Sequence, residues 1–122
     1  MSNKTTIQVC VKCRTAAEPK EPRDQRAGAR FLRALQAAAP QDLEIVPVEC
    51  FNICKRPVTL GFAASGKWTY LYGDFSADAP ESVTEAVAAA RAHARSHDGF
   101  IPIDERSAFL RTAIIARTPP AK

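Results

Sequence analysis

Four cysteines stand in two close pairs along the sequence, and each pair follows a stretch typical of a β-strand. Cys10 and Cys13 lie in VCVKC, and Cys50 and Cys54 lie in VECFNIC. Four thiolates can hold a [2Fe–2S] cluster, two on each iron, or a tetrahedral zinc ion. A pair with two residues between its members can also carry out thiol–disulfide exchange.

The compartment decides how these cysteines are interpreted. The beginning of the chain, MSNKTTIQVC, lacks the apolar segment of a secretory signal, and no apolar run is long enough to cross a membrane. We therefore expect a cytoplasmic protein that does not enter the membrane. In a reducing compartment, close cysteine pairs are more often metal ligands or redox-active thiols than structural disulfides.

The charge of the chain is mildly basic, with a net charge of +4 at pH 7 and a pI near 9.1. Basic residues are not interleaved with aromatic ones, and no predicted helix carries a dense cationic stripe. We therefore expect no nucleic-acid partner. A basic surface favours an acidic protein partner.

The first half of the chain predicts a strand, a helix and a second strand. Residues 5–10 alternate and are rich in β-branched side chains, and residues 26–39 show helical spacing after Asp24, a suitable N-cap. The residues expected on the buried side of this helix are Phe31, Leu32 and Leu35. Residues 43–48 predict the second strand, in which Pro47 must occupy a position that needs no ladder hydrogen bond.

The second half begins with a predicted hairpin. Residues 58–62 and 68–72 are its strands, and Gly66 can adopt the positive φ that the turn needs. A helix follows, with Asp78 and Glu81 in a capping-box pattern and Gly99 at its end. The apolar residues expected on the buried face of this helix are Val83, Val87, Ala90 and Ala94.

The element order predicts an α/β fold, a thioredoxin-like sandwich (β-α-β-β-β-α) with a short C-terminal extension. We expect one domain over residues 1–122, with a core of 5–99 and an extension of 100–122 that contains a short helix from about Asp104 and then an apolar strip. A strand–helix–strand unit favours parallel pairing of its two strands. The loops after both strands then lie side by side, which brings all four sulfur atoms together.

The spacing of the cysteines separates the candidate chemistries only in part. A predicted helix and strand lie between Cys13 and Cys50, which is a longer gap than zinc-binding pairs usually show, and no glycine follows either pair. For thiol–disulfide exchange the spacing of the first pair fits, and Pro57 precedes the third strand. However, the residues after Cys13 predict a loop instead of the helix start that lowers the pKa of a reactive thiol.

Positive charge surrounds both pairs. Four cations lie within two residues of a cysteine: Lys12, Arg14, Lys55 and Arg56. Cations favour the thiolate that each of these chemistries needs. For a cluster, whose negative charge grows on reduction, they should raise the potential above the roughly −400 mV of plant-type ferredoxins.

Two other groups of residues invite simpler explanations. His93 and His97 are four residues apart on the last predicted helix, a spacing that can bind metal, but we expect a solvated helix flank. The aromatic residues of GKWTYLYGD lie on one strand face and predict packing. No Ser/His/Asp or paired-carboxylate arrangement indicates a hydrolase.

The four cysteines on this order of elements resemble the ligands of the thioredoxin-like [2Fe–2S] ferredoxins. The stretches VECFNICKRPVTLGF and GKWTYLYGDF are similar to an uncharacterised bacterial family of predicted metal-binding proteins. This likeness covers nearly the whole chain and includes the tail IPIDERSAFLRTAIIARTPP.

The resemblance implies a cluster near the surface of the protein and a one-electron carrier that forms a homodimer. The ligands it implies are Cys10, Cys13, Cys50 and Cys54. Two departures stand out: the first pair is closer in sequence than in the ferredoxins, and Val58 occupies a position where relatives often have a further cysteine. We therefore expect a non-enzymatic iron–sulfur protein that has a redox partner. The alternatives are a zinc-binding module, a metal chaperone, or a thiol oxidoreductase that uses Cys10 and Cys13.

Overall fold

The structure, a computed structural model, describes residues 4–11, 26–38, 41–49, 58–76, 78–102 and 106–120. Its elements in chain order are β1 (Thr6–Cys10), α1 (Ala27–Ala38), β2 (Glu44–Val48), β3 (Leu60–Ala63), β4 (Thr69–Tyr72), α2 (Pro80–Arg95), α3 (Ala108–Ala113) and β5 (Ile114–Thr118). Within these ranges, no helix has the length and apolar character needed to span a membrane.

The five strands form one sheet in the order β2-β1-β3-β4-β5. β1 and β2 pair in parallel across the α1 crossover, and the other neighbours are antiparallel. β2 is an edge strand, so Pro47 needs no hydrogen bond on its outer side. The predicted thioredoxin-like α/β fold is confirmed.

One apolar core lies between the sheet and the two longer helices, which contact each other. Its centre comprises fully buried side chains from β1, β3, β4 and α1: Ile7, Val9, Leu60, Phe62, Tyr70, Tyr72, Phe31 and Leu35. The predicted buried face of α1 is confirmed, although Leu32 is only partly buried. Period-two alternation along the strands and helical spacing along α1 deliver these residues to one core.

α2 begins differently from the prediction. Its N-cap is Ala79, which provides no side-chain hydrogen bond, and Pro80 occupies the first turn, where a missing N–H costs nothing. The predicted Asp78–Glu81 capping box is therefore wrong. Asp78 instead accepts a hydrogen bond from Arg30 of α1, with 3.0 Å between Nη1 and Oδ1.

The buried face of α2 is also rotated relative to the prediction. Ala86, Ala90 and His93 are fully buried, whereas Val83 and Val87 are only partly buried. Small alanine side chains allow the helix to approach its neighbours closely, which the apolar pattern of the valines does not reveal.

The C-terminal tail supplies the fifth strand of the sheet. α3 begins at Ala108, because the Ser107 hydroxyl accepts a hydrogen bond from the Leu110 N–H at 3.2 Å and caps the helix. The predicted start of this helix, near Asp104, lies outside the described residues. β5 then pairs with β4, with an irregularity at the Leu71/Tyr72 step. Leu110 is 2% exposed, so the tail also contributes to the core.

His93 contradicts the expectation of a solvated helix flank, because it is fully buried. Its Nε2 lies 2.6 Å from the Trp68 carbonyl oxygen, and its Nδ1 lies 2.6 Å from Thr5 Oγ1. A carbonyl can only accept, so Nε2 carries the proton and Nδ1 accepts from the Thr5 hydroxyl. The imidazole thus joins α2 to the beginnings of β1 and β4.

Lys67 and Gly99 complete this end of the sheet. The buried Lys67 ammonium donates to the carbonyl oxygens of Ala94, at 2.8 Å, and His93, at 3.3 Å. These are the last carbonyls of α2, where a cation is favourable. Gly99 has φ +89°, and a Cβ there would lie 2.8 Å from the Trp68 nitrogen, so only glycine fits.

Tyr70 and Tyr72 stack in the core with 5.8 Å between ring centroids, but their hydroxyls differ. The Tyr70 hydroxyl accepts a hydrogen bond from the Ile101 N–H at 3.0 Å. The buried Tyr72 hydroxyl has no hydrogen-bond partner among the described residues. Burial raises the pKa of Tyr72 to about 12.

We predict that His93 makes the fold sensitive to acid. Burial, the largest cause, lowers the pKa of His93 from 6.5, and the charge of Lys67 adds to this effect. As the pH falls through 6.5, the unfolded chain takes up a proton that the folded chain does not. The free energy of unfolding should therefore fall, by at most about 1.4 kcal/mol per pH unit. Urea denaturation between pH 8 and 5 measures this slope.

His97, four residues further along and exposed, provides the matched control. His93→Gln should remove the histidine-dependent slope, whereas His97→Gln should retain it. Equal slopes for the two variants would contradict this prediction.

We also predict opposite effects for the two tyrosine hydroxyls. Tyr70→Phe leaves the buried Ile101 N–H without its acceptor and should lower the free energy of unfolding by about 1–3 kcal/mol. Tyr72→Phe removes a buried hydroxyl that has no partner and should raise it by about 1 kcal/mol. Thermal and urea unfolding at pH 7 measure both values, and a loss of stability in Tyr72→Phe as large as that in Tyr70→Phe would show that its hydroxyl is satisfied.

Candidate metal centre

Cys10, the first residue of the first cysteine pair, is the last residue of β1. In the parallel register Cys10 is opposite Val48, the last residue of β2, and the Val11 N–H donates to the Val48 carbonyl oxygen at 2.9 Å. The Cys10 sulfur lies 3.9 Å from the carbonyl oxygen of Glu49. Cys50 directly follows Glu49 in the sequence. The first cysteine therefore contacts the residue that introduces the second pair.

The other side of Cys10 is held by the residues before β3. The Cys10 N–H donates to the carbonyl oxygen of Thr59 at 3.2 Å. Val58 pairs in turn with Phe75, with N–H to carbonyl distances of 3.2 and 3.3 Å in the two directions. Cys54 is four residues before Val58 in the sequence. Both ends of the segment that contains the second pair are thus anchored beside Cys10.

Of the four predicted ligands, the structure describes Cys10 alone, which is 2% exposed. The other three cysteines lie outside the described residues: Cys13, Cys50 and Cys54. The four cations predicted to tune the site also lie outside them: Lys12, Arg14, Lys55 and Arg56. Within the described ranges, no group of three or more His, Cys, Asp or Glu residues could hold a metal ion. Support for the prediction that four sulfurs meet therefore comes from the contacts of Glu49 and Val58, the described residues on either side of the second pair.

An aromatic cluster supports this edge of the sheet. The Phe75 ring lies between Phe31 of α1, at 5.6 Å between centroids, and Phe109 of α3, at 5.2 Å. Phe75 is 2% exposed, and its backbone is the partner of Val58. Phe75 is therefore a buried residue that contacts α1, α3 and Val58, the residue two positions before β3.

Sequence reasoning did not identify Phe75 or its neighbour Asp74 as part of this edge. Asp74 has φ 67° and is the one non-glycine residue with positive φ in the described part of the chain. The available signal was the Gly73–Asp74 dipeptide, because Asp tolerates the left-handed region and glycine commonly marks turns. Which strand Phe75 would then pair with is not readable from the sequence.

The arrangement suits a buried sulfur ligand. The Cys10 side chain is shielded from water. Its backbone is held on two sides, because the Cys10 N–H donates to the Thr59 carbonyl oxygen before β3 and the next N–H, that of Val11, donates to the Val48 carbonyl oxygen of β2. Soft thiolate donors favour iron–sulfur clusters and zinc over calcium or magnesium. The donor type of the four cysteines therefore fits either a cluster or zinc, and the described geometry gives Cys10, the first predicted ligand, a fixed position.

Comparison with known proteins supports the fold. The chain is similar to the structure of a thioredoxin-like [2Fe–2S] ferredoxin from Aquifex aeolicus, with a TM-score of 0.54 and 23% sequence identity over 98% of each chain. No curated protein matches the sequence. This likeness agrees with the predicted thioredoxin-like fold. A family model matches residues 7–120, and the chain therefore belongs to the family described as a protein of unknown function, DUF1636.

Proposed function

We propose that this protein binds a [2Fe–2S] cluster and carries one electron, without being an enzyme. The observation that carries the proposal is the contact of the Cys10 sulfur with the Glu49 carbonyl oxygen, at 3.9 Å, across the parallel pair β1 and β2. It supports a site in which the first cysteine pair faces the second. The proposed ligands are Cys10, Cys13, Cys50 and Cys54.

Chain connectivity adds support, because it limits how far each proposed ligand can be from Cys10 or its neighbours. Consecutive Cα atoms are about 3.8 Å apart, and an extended chain spans at most about 3.6 Å per residue. The Cα of Cys13 must therefore lie within about 11 Å of that of Cys10, and the Cα of Cys54 within about 14 Å of that of Val58. Cys50 directly follows the residue whose carbonyl contacts the Cys10 sulfur. None of these limits prevents four sulfurs from sharing one site.

A bound cluster would supply reversible one-electron chemistry at a site that the chain itself prepares. The sheet holds Cys10 in place through the hydrogen bond from its N–H to Thr59 and keeps its sulfur away from bulk water. The flanking cations of both pairs would stabilise the added negative charge of the reduced form and favour docking of an acidic redox partner. We propose a cytoplasmic protein that works as a homodimer.

The alternatives use the same cysteines differently. A zinc-binding module or metal chaperone would share the ligands, because zinc also accepts four thiolates. A thiol oxidoreductase needs a thiol that a substrate disulfide can reach. The 2% exposure of Cys10, the last residue of β1, favours a ligand role over attack on a substrate.

Metal and sulfide analysis of anaerobically purified protein tests the proposal. We expect about two iron ions and two sulfides per chain, visible absorption, and an electron paramagnetic resonance signal on reduction. Each single Cys→Ser substitution should lose most of the iron, because each removes one of two thiolates on an iron.

His97→Gln is the control for nonspecific metal binding, because it removes an exposed imidazole just after the end of α2 and should leave the iron content unchanged. Colourless protein with stoichiometric zinc would replace the cluster by the zinc-binding alternative. Metal-free protein that reduces disulfides, with activity lost in Cys10→Ser, would establish the thiol oxidoreductase instead.

A further inference from the structure

The segment after β4 is attached to three different parts of the molecule within four residues. The Gly73 N–H donates to the carbonyl oxygen of Ala113, the last residue of α3, at 2.9 Å. Phe75 pairs with Val58 through both of its backbone groups. The Ser76 N–H donates to the Ser82 hydroxyl of α2 at 3.1 Å. The segment therefore joins α3, α2 and the residues beside Cys10.

Asp74 is one inserted residue in this segment. β3 and β4 pair with Leu60 opposite Tyr72, and a continued register would place Val58 opposite Asp74. Val58 instead pairs with Phe75. One residue of the second strand is therefore extra, which defines a β-bulge, and Asp74 adopts the left-handed conformation that such bulges commonly contain.

The bulge influences the position of the Cys10 backbone through two adjacent residues, Val58 and Thr59. Val58, held by Phe75, immediately precedes Thr59, whose carbonyl oxygen accepts the hydrogen bond from the Cys10 N–H. Val58 is also the first described residue after the segment that contains Cys54. A shift of Phe75 by one residue would move the anchor of both cysteine-bearing segments together.

We propose that Asp74 is a positioning residue for the metal centre. Its left-handed bulge places Phe75 opposite Val58, and this pairing fixes the backbone to which Cys10 and the segment with Cys54 are attached. This role rests on the proposed function, because it concerns the retention of the metal that the cysteines bind. It belongs to the backbone conformation of Asp74 and not to the charge of its carboxylate.

A series of substitutions at Asp74 separates conformation from charge. Asp74→Gly and Asp74→Asn both remove the charge but tolerate positive φ, whereas Asp74→Val, with a β-branched side chain, does not. Asp74→Ala is a milder version of the same strain, for use if the valine variant does not fold. Gly66→Val is the matched control, because Gly66 also has positive φ, at 74°, in the β3–β4 turn, with no atom within 4 Å of an added Cβ.

The main measurement is the rate at which bound iron, or zinc, passes from the purified holoprotein to a chromophoric chelator. We expect Asp74→Val to release its metal to the chelator about tenfold faster than the wild type, and Asp74→Ala to show a smaller increase in this rate. Asp74→Gly, Asp74→Asn and Gly66→Val should match the wild type. The visible circular dichroism of the site should change in Asp74→Val alone. Alkylation of Cys10 in metal-free protein, followed by mass spectrometry, should be faster in that variant.

The outcomes distinguish this inference from the proposed function. A wild type that binds no metal overturns the proposed function, and unchanged Cys10 alkylation in Asp74→Val would then overturn the positioning role as well. Metal-bound wild type with equal release from Asp74→Val and Gly66→Val overturns the positioning role alone. Equal loss from Asp74→Asn and Asp74→Val would assign the effect to the carboxylate and overturn the conformational role.

Discussion

The parallel hydrogen-bond ladder between β1 and β2 sets the arrangement of the cysteine-bearing end of the sheet. Parallel strands require a crossover, here through α1, and both strands then end at the same edge of the sheet. At that edge the Cys10 sulfur contacts the carbonyl oxygen of Glu49, the residue before the second cysteine pair. Residues distant in sequence become neighbours through backbone hydrogen bonds that do not depend on the cysteines themselves.

The two ends of the sheet are stabilised in different ways. At the cysteine end, Phe75 combines a buried aromatic contact with backbone pairing to Val58, so packing and hydrogen bonding act on the same residue. At the opposite end, His93 and the Lys67 ammonium form a buried polar network with the last turn of α2. Such networks hold well when every group is satisfied and are sensitive to protonation. Protonation of His93 would therefore disturb the end remote from the proposed metal centre.

Local rules predicted most of the elements and failed where tertiary contacts replaced them. Asp78 has the sequence signature of a helix cap, yet it binds Arg30 of α1, because that guanidinium lies within reach only in the folded chain. His93 is polar and close to charged residues in sequence, but the Trp68 carbonyl and the Thr5 hydroxyl satisfy both of its nitrogens, which permits burial. The positive φ of Asp74 could be suspected from the Gly73–Asp74 dipeptide, but the pairing of Phe75 with Val58 could not.

The class of fold and the available chemistry follow from local features of the amino-acid sequence. Strand alternation, helical spacing and a strand–helix–strand order are local patterns, and sulfur donors are a property of residue type. Three features follow from long-range contacts instead: the tail adds β5 to the sheet, Cys10 is shielded from water, and Phe75 pairs with the chain beside Cys10. These features depend on which surfaces meet after folding, and contacts between residues far apart in the chain leave no periodic trace in the sequence.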